Sequence, residues 1–228
     1  MDEALKTNKL RNSEFFTKYL SGKVIDIGAG RDLVIPTAER FDLEDGDANF
    51  ITLYRQPQTY DAVHSSHCLE HMVDPVRALN EWWSLLKPGG HLVLVVPDEG
   101  LYEQGAWPSR FNADHKHTFR LNKQNSWSPV SIDLHQIVSA LPGVKIISTE
   151  IQDAHYNHNI KASYPLQTQT VPLLISLLGK IIRKVPRLGK SLHEKFEDIR
   201  FQFYGVPIDQ TLRKAVAQIQ IVARKTAG

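Results

Sequence analysis

Apolar residues form three short blocks in the first hundred positions of the chain, and each block has the length of a strand. Polar and glycine-rich stretches separate them. A short, continuous apolar run is typical of a parallel strand that is covered on both faces. We therefore predict strands at Val24–Ile27, Tyr60–His64 and His91–Pro97.

A helix is predicted between the second and third blocks. Asp74 and Pro75 form a start signal, because proline fits the first turn of a helix, where its missing N–H is not needed. The helix continues from Val76 to Leu86 and ends at the glycine-rich segment 87–90. Strand, helix, glycine turn and strand together indicate a βαβ unit, the building block of an α/β fold.

Other elements are predicted on either side of this unit. An amphipathic helix is expected over 3–20 and a short strand around 40–43. Ser131 or Asp133 begins a helix that runs to Leu141. Two closing strands are expected at 144–151 and 215–225, with a long insertion between them.

The segment Val24–Asp32 joins the first strand to a turn with two glycines. Gly28 and Gly30 allow a sharp bend and a closer approach of the backbone to a ligand than any Cβ would permit. Asp26 lies near the carboxyl end of the strand, where open α/β sheets bind ligands. The turn predicts a nucleoside cofactor; an ordinary loop stays open as the alternative, because the dinucleotide fingerprint needs a third glycine.

Four motifs in this order resemble the class I S-adenosylmethionine-dependent methyltransferases, in the small-molecule branch called type 11. They are DIGAG at 26–30, GDA at 46–48, YDAVHSSHCLEH at 60–71 and LLKPGGHLVLVVP at 85–97. The resemblance implies an α/β fold with a Rossmann-like seven-stranded sheet and helices on both faces. In this chain the fold would be shortened after the first strand and would carry a helical insertion before the last. The implied cofactor is S-adenosyl-L-methionine.

The resemblance also carries cofactor roles onto individual positions. The acid before the turn and the turn's backbone would hold the methionine end of the cofactor. An acid after the second strand would take the ribose, the GDA motif would meet the adenine, and the end of the YDAVH strand would line the methionine side. The implied cofactor-binding residues are Asp26, Gly28, Ala29, Gly30, Asp42, Asp47, Ala48, Ser66 and His67.

The chain departs from the family pattern after the first strand. Asp32 stands where many members have a third glycine, and only 15 residues separate the glycine turn from the GDA motif. Pro36 argues against a long helix there, so we expect a short turn and a compressed second strand. The ribose-binding acid stays open among three neighbours: Asp42, Glu44 and Asp45.

Composition fits one enzyme domain over 1–228. We divide it into an N-terminal helix (1–20), a cofactor-binding core (21–160), an insertion or lid (161–212) and a final strand (213–228). The 228 residues are 42% hydrophobic, and a net charge of +2 is too small to predict nucleic-acid binding. The single cysteine and the polar N-terminus predict a cytoplasmic location.

Two groups of histidines offer candidate chemistry. In the first, His64, His67, Cys68 and His71 have metal-donor atoms at short spacing, but a strand-to-helix turn projects them in different directions, so we expect no metal. In the second, His115 is the predicted catalytic base, because a neutral imidazole suits removal of an acceptor's proton near neutral pH. A loop histidine that bonds only to backbone is the alternative. Tyr102, Glu103 and Trp107 would shape the acceptor pocket.

The segment 171–190 combines apolar residues at helical spacing with Lys180, Arg183 and Lys184. A helix of this kind either packs as a lid or in a homodimer, which we favour, or lies at a membrane surface.

From these patterns we expect methyl transfer from S-adenosylmethionine to an oxygen or nitrogen of a small metabolite or sugar-like acceptor. One alternative is an NAD-dependent oxidoreductase, which the missing third glycine disfavours. Another is a non-catalytic Rossmann-like partner or membrane-associated protein.

Overall fold

The computed structural model describes residues 3–159 and 208–226, together with Ile181, Leu192 and Lys195. The basic helix expected over 171–190 and most of the 161–212 insertion lie outside the described residues. None of the helices in the described ranges has the length and apolar character that crossing a bilayer requires.

A central sheet organises the described structure. The strands, in chain order, are β1 (Val24–Ile27), β2 (Glu39–Phe41), β3 (Tyr60–Ser66), β4 (Leu86–Pro97), β5 (Thr118–Arg120), β6 (Ser131–Asp133), β7 (Val144–Gln152) and β8 (Gln218–Lys225). Six of them form one sheet in the order β2-β1-β3-β4-β8-β7, while β5 and β6 pair separately. The first four strands of the chain are parallel, and β8 is antiparallel to both β4 and β7.

The predicted fold class is confirmed, with one difference in strand number. The main sheet has six strands among the described residues rather than the seven that the resemblance implies. The chain between β2 and β3 forms a 3₁₀ helix, Ala48–Leu53, instead of a further strand and helix. The compressed second strand is present as β2, which begins one residue and ends two residues earlier than expected.

The described α-helices are α1 (Glu3–Leu10), α2 (Ser13–Tyr19), α3 (Pro75–Ser84) and α4 (Leu134–Ser139). The N-terminal helix predicted over 3–20 is therefore two helices. The Asn12 side chain accepts a hydrogen bond from the Phe15 N–H at 2.8 Å and so begins α2. Asp74 and Asp133 cap α3 and α4 in the same way.

Apolar residues cover both faces of the sheet. Adjacent residues of β1 belong to different clusters: Val24 packs with Leu20 under the N-terminal helices, and Ile25 belongs to the larger cluster under α3. In that larger cluster Trp82 and Trp83 are fully buried, and their indole N–H groups donate to the carbonyls of Ala48 and Pro142. Burial on both faces explains why these strands are continuous apolar runs.

The two glycines of the turn after β1 have different surroundings. Gly28 has a φ of +75°, and its N–H donates to the Phe41 carbonyl at 2.8 Å, which ties the turn to β2. A Cβ at this position would lie 2.6 Å from the Cβ of Cys68. Gly30 has a φ of +60°, and a Cβ there would meet nothing within 4 Å. Gly28 is thus required by packing, while Gly30 borders open space.

We expect Gly28→Ala to destabilise the fold by about 2 kcal/mol or more, because left-handed strain and the clash with Cys68 add together. Gly30→Ala is the matched control: it adds the strain of the left-handed backbone but no clash, so it should lower the free energy of unfolding by about 1 kcal/mol. Urea denaturation of both variants measures the difference. Equal losses would contradict the packing role of Gly28.

Candidate active site

A buried polar chain lies beneath the turn after β1. Asp26, only 2% exposed, accepts hydrogen bonds from the Val34 N–H at 2.6 Å and from Nδ1 of His64 at 2.6 Å. The register of β1 and β3 places Asp26 directly opposite His64. Both carboxylate oxygens therefore bond within the protein, so Asp26 shapes the turn rather than facing open space. Its predicted contact with the cofactor stays a prediction.

Arg11 continues this chain on the far side of His64. Its guanidinium donates to Oε1 of Gln220 at 2.7 and 3.0 Å and lies 3.4 Å from Nε2 of His64. Burial lowers the pKa of Arg11 to about 10, so the side chain is still charged at neutral pH. Because a guanidinium only donates, Nε2 of His64 must accept and Nδ1 must carry the proton. Burial is the main cause that lowers the pKa of His64, and the Arg11 charge acts in the same direction against the pull of Asp26.

A cleft of about 520 Å³ opens beside Gly30 at the carboxyl ends of β1 and β2. Asp42 lies at its edge, and its carboxylate accepts the N–H groups of Gly30 and Leu43, both at 2.8 Å. Arg40 spans the acidic run: it donates to the Gly30 carbonyl at 3.0 Å and pairs with the side chain of Glu44 at 3.1 Å. The residues lining the cleft are Gly30, Arg31, Leu33, Arg40, Asp42 and Glu44.

The remaining predicted cofactor residues lie on neighbouring segments. Asp47 caps the 3₁₀ helix Ala48–Leu53 by accepting the Asn49 N–H at 2.8 Å, and the Ala48 carbonyl accepts the Trp82 indole. Ser66 ends β3, and its buried hydroxyl has no hydrogen-bond partner among the described residues. His67 follows with a φ of +55°, and its Nε2 lies 2.9 Å from Oε1 of Gln218.

The predicted catalytic histidine belongs to a buried pair. Nδ1 of His115 lies 2.7 Å from Oε1 of Glu103, and both side chains are nearly inaccessible, at 3% and 1% exposed. Glu103 ends a short π-helix, Glu99–Glu103, that Asp98 caps directly after β4. The ring of Tyr102 lies 5.3 Å from that of His115. Glu103 was expected to line a pocket; the structure shows that it orients the imidazole.

A second carboxylate, Glu70, faces the other side of His115. It belongs to the 3₁₀ turn Leu69–His71 that follows β3. Its carbonyl accepts the N–H groups of Lys116 and His117, at 2.9 and 3.2 Å, so the histidine loop is docked on this turn. The sequence analysis missed Glu70, because the LEH residues were interpreted only as part of the family motif at 60–71 and were given no separate role.

The structure separates two of the four side chains that were weighed as metal donors, His64 and Cys68, from the other two, His67 and His71, which both lie beside Glu70. His64 points into the sheet toward Asp26, and Cys68 packs against Gly28. His71 instead lies edge-on to His115, with ring centroids 5.0 Å apart. His117, also named in the sequence, points away from this pair, and its Nε2 lies 3.3 Å from the Val73 carbonyl oxygen.

Comparison with known proteins adds a family and a fold. A family model described as a methyltransferase domain matches residues 1–127. An uncharacterized 37.1 kDa protein of transposon TN4556 from Streptomyces fradiae is 33% identical over 84 residues. That alignment covers 34% of this chain and 24% of the relative, so the chain spans about a quarter of the length of the curated protein it matches.

Two solved structures are similar to this chain. A candidate sarcosine dimethylglycine methyltransferase from Galdieria sulphuraria is 16% identical with a TM-score of 0.51, covering 97% of this chain and 86% of that one. A SAM-dependent methyltransferase from Archaeoglobus fulgidus is 16% identical with a TM-score of 0.49, covering 98% and 94%. At 16% identity, the comparison with the Galdieria sulphuraria structure shows the fold alone.

We expect His64 to make the protein less stable in mild acid. Its pKa is lowered in the folded state, so below the unfolded value of 6.5 the unfolded chain takes up the proton first. Stability should fall by up to about 1.4 kcal/mol per pH unit there. Urea denaturation between neutral pH and mild acid should show this slope in the wild type but not in His64→Gln. The exposed His155 provides the control: His155→Gln should keep the slope, and the same slope in His64→Gln would contradict the assignment.

Proposed function

Because the chain belongs to the methyltransferase domain family, we propose that it transfers a methyl group from S-adenosylmethionine to an oxygen or nitrogen of a small metabolite or sugar-like acceptor. The observation that carries this proposal is the glycine turn at the carboxyl end of β1, which opens beside Asp42 onto a cleft of about 520 Å³. Ligands of open α/β sheets bind at this edge.

The residues at this edge fit the cofactor. The open side of Gly30 leaves room for a ligand against the backbone, and Asp42 supplies an acceptor for ribose hydroxyls at the end of β2. The unpartnered hydroxyl of Ser66 gives a further polar group on the methionine side. The bound cofactor supplies an electrophilic methyl group. In this proposal the turn Gly28–Gly30 and Asp42 hold it, with Asp47 and Ala48 toward the adenine and Ser66 and His67 toward the methionine.

Among the three acids left open for the ribose, the structure favours Asp42. Its side chain is 24% exposed at the cleft and bonded to the Gly30 N–H of the turn, whereas that of Glu44 is 82% exposed and forms no hydrogen bond to the turn; both lie within ion-pair distance of Arg40, at 3.8 and 3.1 Å. Asp45 is used locally: it accepts the Asp42 N–H and bonds to Arg40.

The acceptor side of the proposal centres on His115. His115 is bonded to Glu103, which follows β4 as the glycine turn follows β1. Because β1 and β4 run parallel in the sheet, both segments lie at the edge formed by the carboxyl ends of the strands. Cys68 contacts the glycine turn, and Glu70, two residues later, faces His115. With Nδ1 committed to Glu103, Nε2 is the nitrogen left to take a proton from an acceptor. The general-base role of His115 stays a prediction.

Asp42→Ala should weaken S-adenosylmethionine binding by about 10- to 100-fold, since losing this acceptor strands the ribose hydroxyls at a cost of about 1–3 kcal/mol. Glu44→Ala is the matched control and should bind as the wild type does. Titration calorimetry with S-adenosylmethionine, and with NAD beside it, measures both points. Binding of NAD but not of S-adenosylmethionine would overturn the proposed function in favour of an oxidoreductase.

His115→Ala should lower turnover by about 100-fold or more, the usual contribution of a positioned acid–base group, while S-adenosylmethionine affinity is unchanged. Release of S-adenosylhomocysteine over a panel of hydroxyl and amine acceptors measures turnover. His117→Ala is the control, because that ring lies near Val73 instead. Full activity of His115→Ala would leave methyl transfer to alignment of the reactants.

A further inference from the structure

Glu70 is a buried carboxylate without hydrogen bonds. It is 1% exposed, and neither of its oxygens accepts a hydrogen bond within the described part of the chain. Leaving a buried charged group unsatisfied is costly, so such a group in a native fold calls for a partner. Among the described residues, histidine rings but no lysine or arginine side chain lie within ion-pair distance of Glu70.

Three imidazole nitrogens converge on one oxygen of this carboxylate. Oε1 of Glu70 lies 3.6 Å from Nδ1 of His67, 3.8 Å from Nε2 of His71 and 3.9 Å from Nε2 of His115. These distances exceed those of hydrogen bonds, which for charged groups are about 2.8 Å. They approach the separation of about 3.4 Å between donors that share one ion at a ligand distance of about 2.0–2.1 Å.

The outer nitrogens of two rings decide where their protons lie. Nδ1 of His115 faces the Glu103 carboxylate at 2.7 Å, and Nδ1 of His71 faces the carbonyl and carboxylate of Asp114 at 3.1 and 3.0 Å. Since these oxygens only accept, each Nδ1 carries the proton, and each Nε2 directs a lone pair toward Glu70.

We propose that Glu70, His71 and His115 form a binding site for a divalent transition-metal cation at the acceptor side of the active site. Their ligand atoms all lie within 4.8 Å of one another. Two histidines and one carboxylate are a common ligand set for such ions, and three protein ligands leave positions open for substrate. The Glu103–His115 and Asp114–His71 contacts are the carboxylate–histidine pairs that orient metal ligands. His67 stands close enough to Glu70 to support a fourth contact.

This proposal revises the expectation that no metal binds. That expectation rested on a donor set containing His64 and Cys68, which the fold directs elsewhere. The proposed set keeps His71 but draws its other members from a carboxylate and from a loop some forty residues further along the chain.

The cation site rests on the proposed function for its role, and it narrows the acceptor to a compound with a hydroxyl group. A hydroxyl oxygen bound to the cation would lose its proton to water more readily. The oxygen would then attack the methyl carbon of S-adenosylmethionine. The new C–O bond forms as the C–S bond breaks, and the electron pair of the broken bond stays on sulfur in S-adenosylhomocysteine. His115 would hold the cation instead of taking the proton.

Titration of the chelator-treated full chain with Co²⁺, followed by the visible absorption of the bound ion, tests the site directly. We expect saturation at about one equivalent per chain. His71→Ala, which removes a partly exposed ligand, should weaken binding by about 100-fold or more, as should Glu70→Gln. His117→Ala is the control and should bind as the wild type does. If the wild type binds no better than His71→Ala, or if His117→Ala weakens binding equally, the site is refuted. Should Glu70→Gln fail to fold, the His71→Ala comparison decides.

Calorimetry with S-adenosylmethionine on the metal-free chain separates this proposal from the function it rests on. We expect the cofactor to bind with or without the cation. Cofactor binding without Co²⁺ binding refutes the cation site alone, and Co²⁺ binding without cofactor binding refutes the proposed function alone. Release of S-adenosylhomocysteine should stop in the metal-free chain and return with added cation. If the metal-free wild type keeps full turnover and His115→Ala loses it, the imidazole acts as the general base and the cation has no role in turnover.

Discussion

The burial of the Asp26 carboxylate is the constraint on which the edge of the sheet depends. A carboxylate that is removed from water in the middle of an apolar strand must be supplied with donors. The donors come from distant segments: the loop at Val34, the facing strand at His64 and, behind His64, Arg11 and Gln220. One charge thus ties β1 to β3, to β8 and to the N-terminal helices, and it holds the turn that carries the proposed cofactor site.

Glu70 presents the opposite situation close to the same edge. Asp26 has its hydrogen bonds satisfied within the fold, whereas the equally buried carboxylate of Glu70 accepts none from the described residues. The rings around it are held from outside, by Glu103 and Asp114, so they cannot turn to satisfy it without losing those contacts. A bound ion would explain why the rings are held in place by outer hydrogen bonds while the carboxylate between them accepts none.

Compression after the first strand sets the shape of the cofactor side. A short loop leads from β1 to the three-residue strand β2. The 3₁₀ helix Ala48–Leu53 then connects β2 to β3, in place of a further strand and helix. The acidic run therefore folds back on itself, with Arg40 bonded to the Gly30 carbonyl and to Glu44. This leaves Asp42 as the acid of the run that is tied to the glycine turn.

The sequence by itself determined the α/β class, the central residues of the main strands and the helix caps, because these follow from local periodicity and from residues within one turn of each other. The start of β4 was predicted wrongly: the strand begins at Leu86 and includes the segment 87–90 that was expected to be a turn. Asp74 and Asp133 begin their helices as their patterns predicted. Tertiary structure alone decided that Gly28 is required by Cys68, that Glu103 orients His115, and that Glu70 faces three imidazoles. These contacts join segments that no period along the chain relates, so they arise only when the strands and loops are packed together. The number of strands was also decided by the tertiary structure. The segment between β2 and β3 is too short for another strand and helix, and it connects the two strands as a 3₁₀ helix.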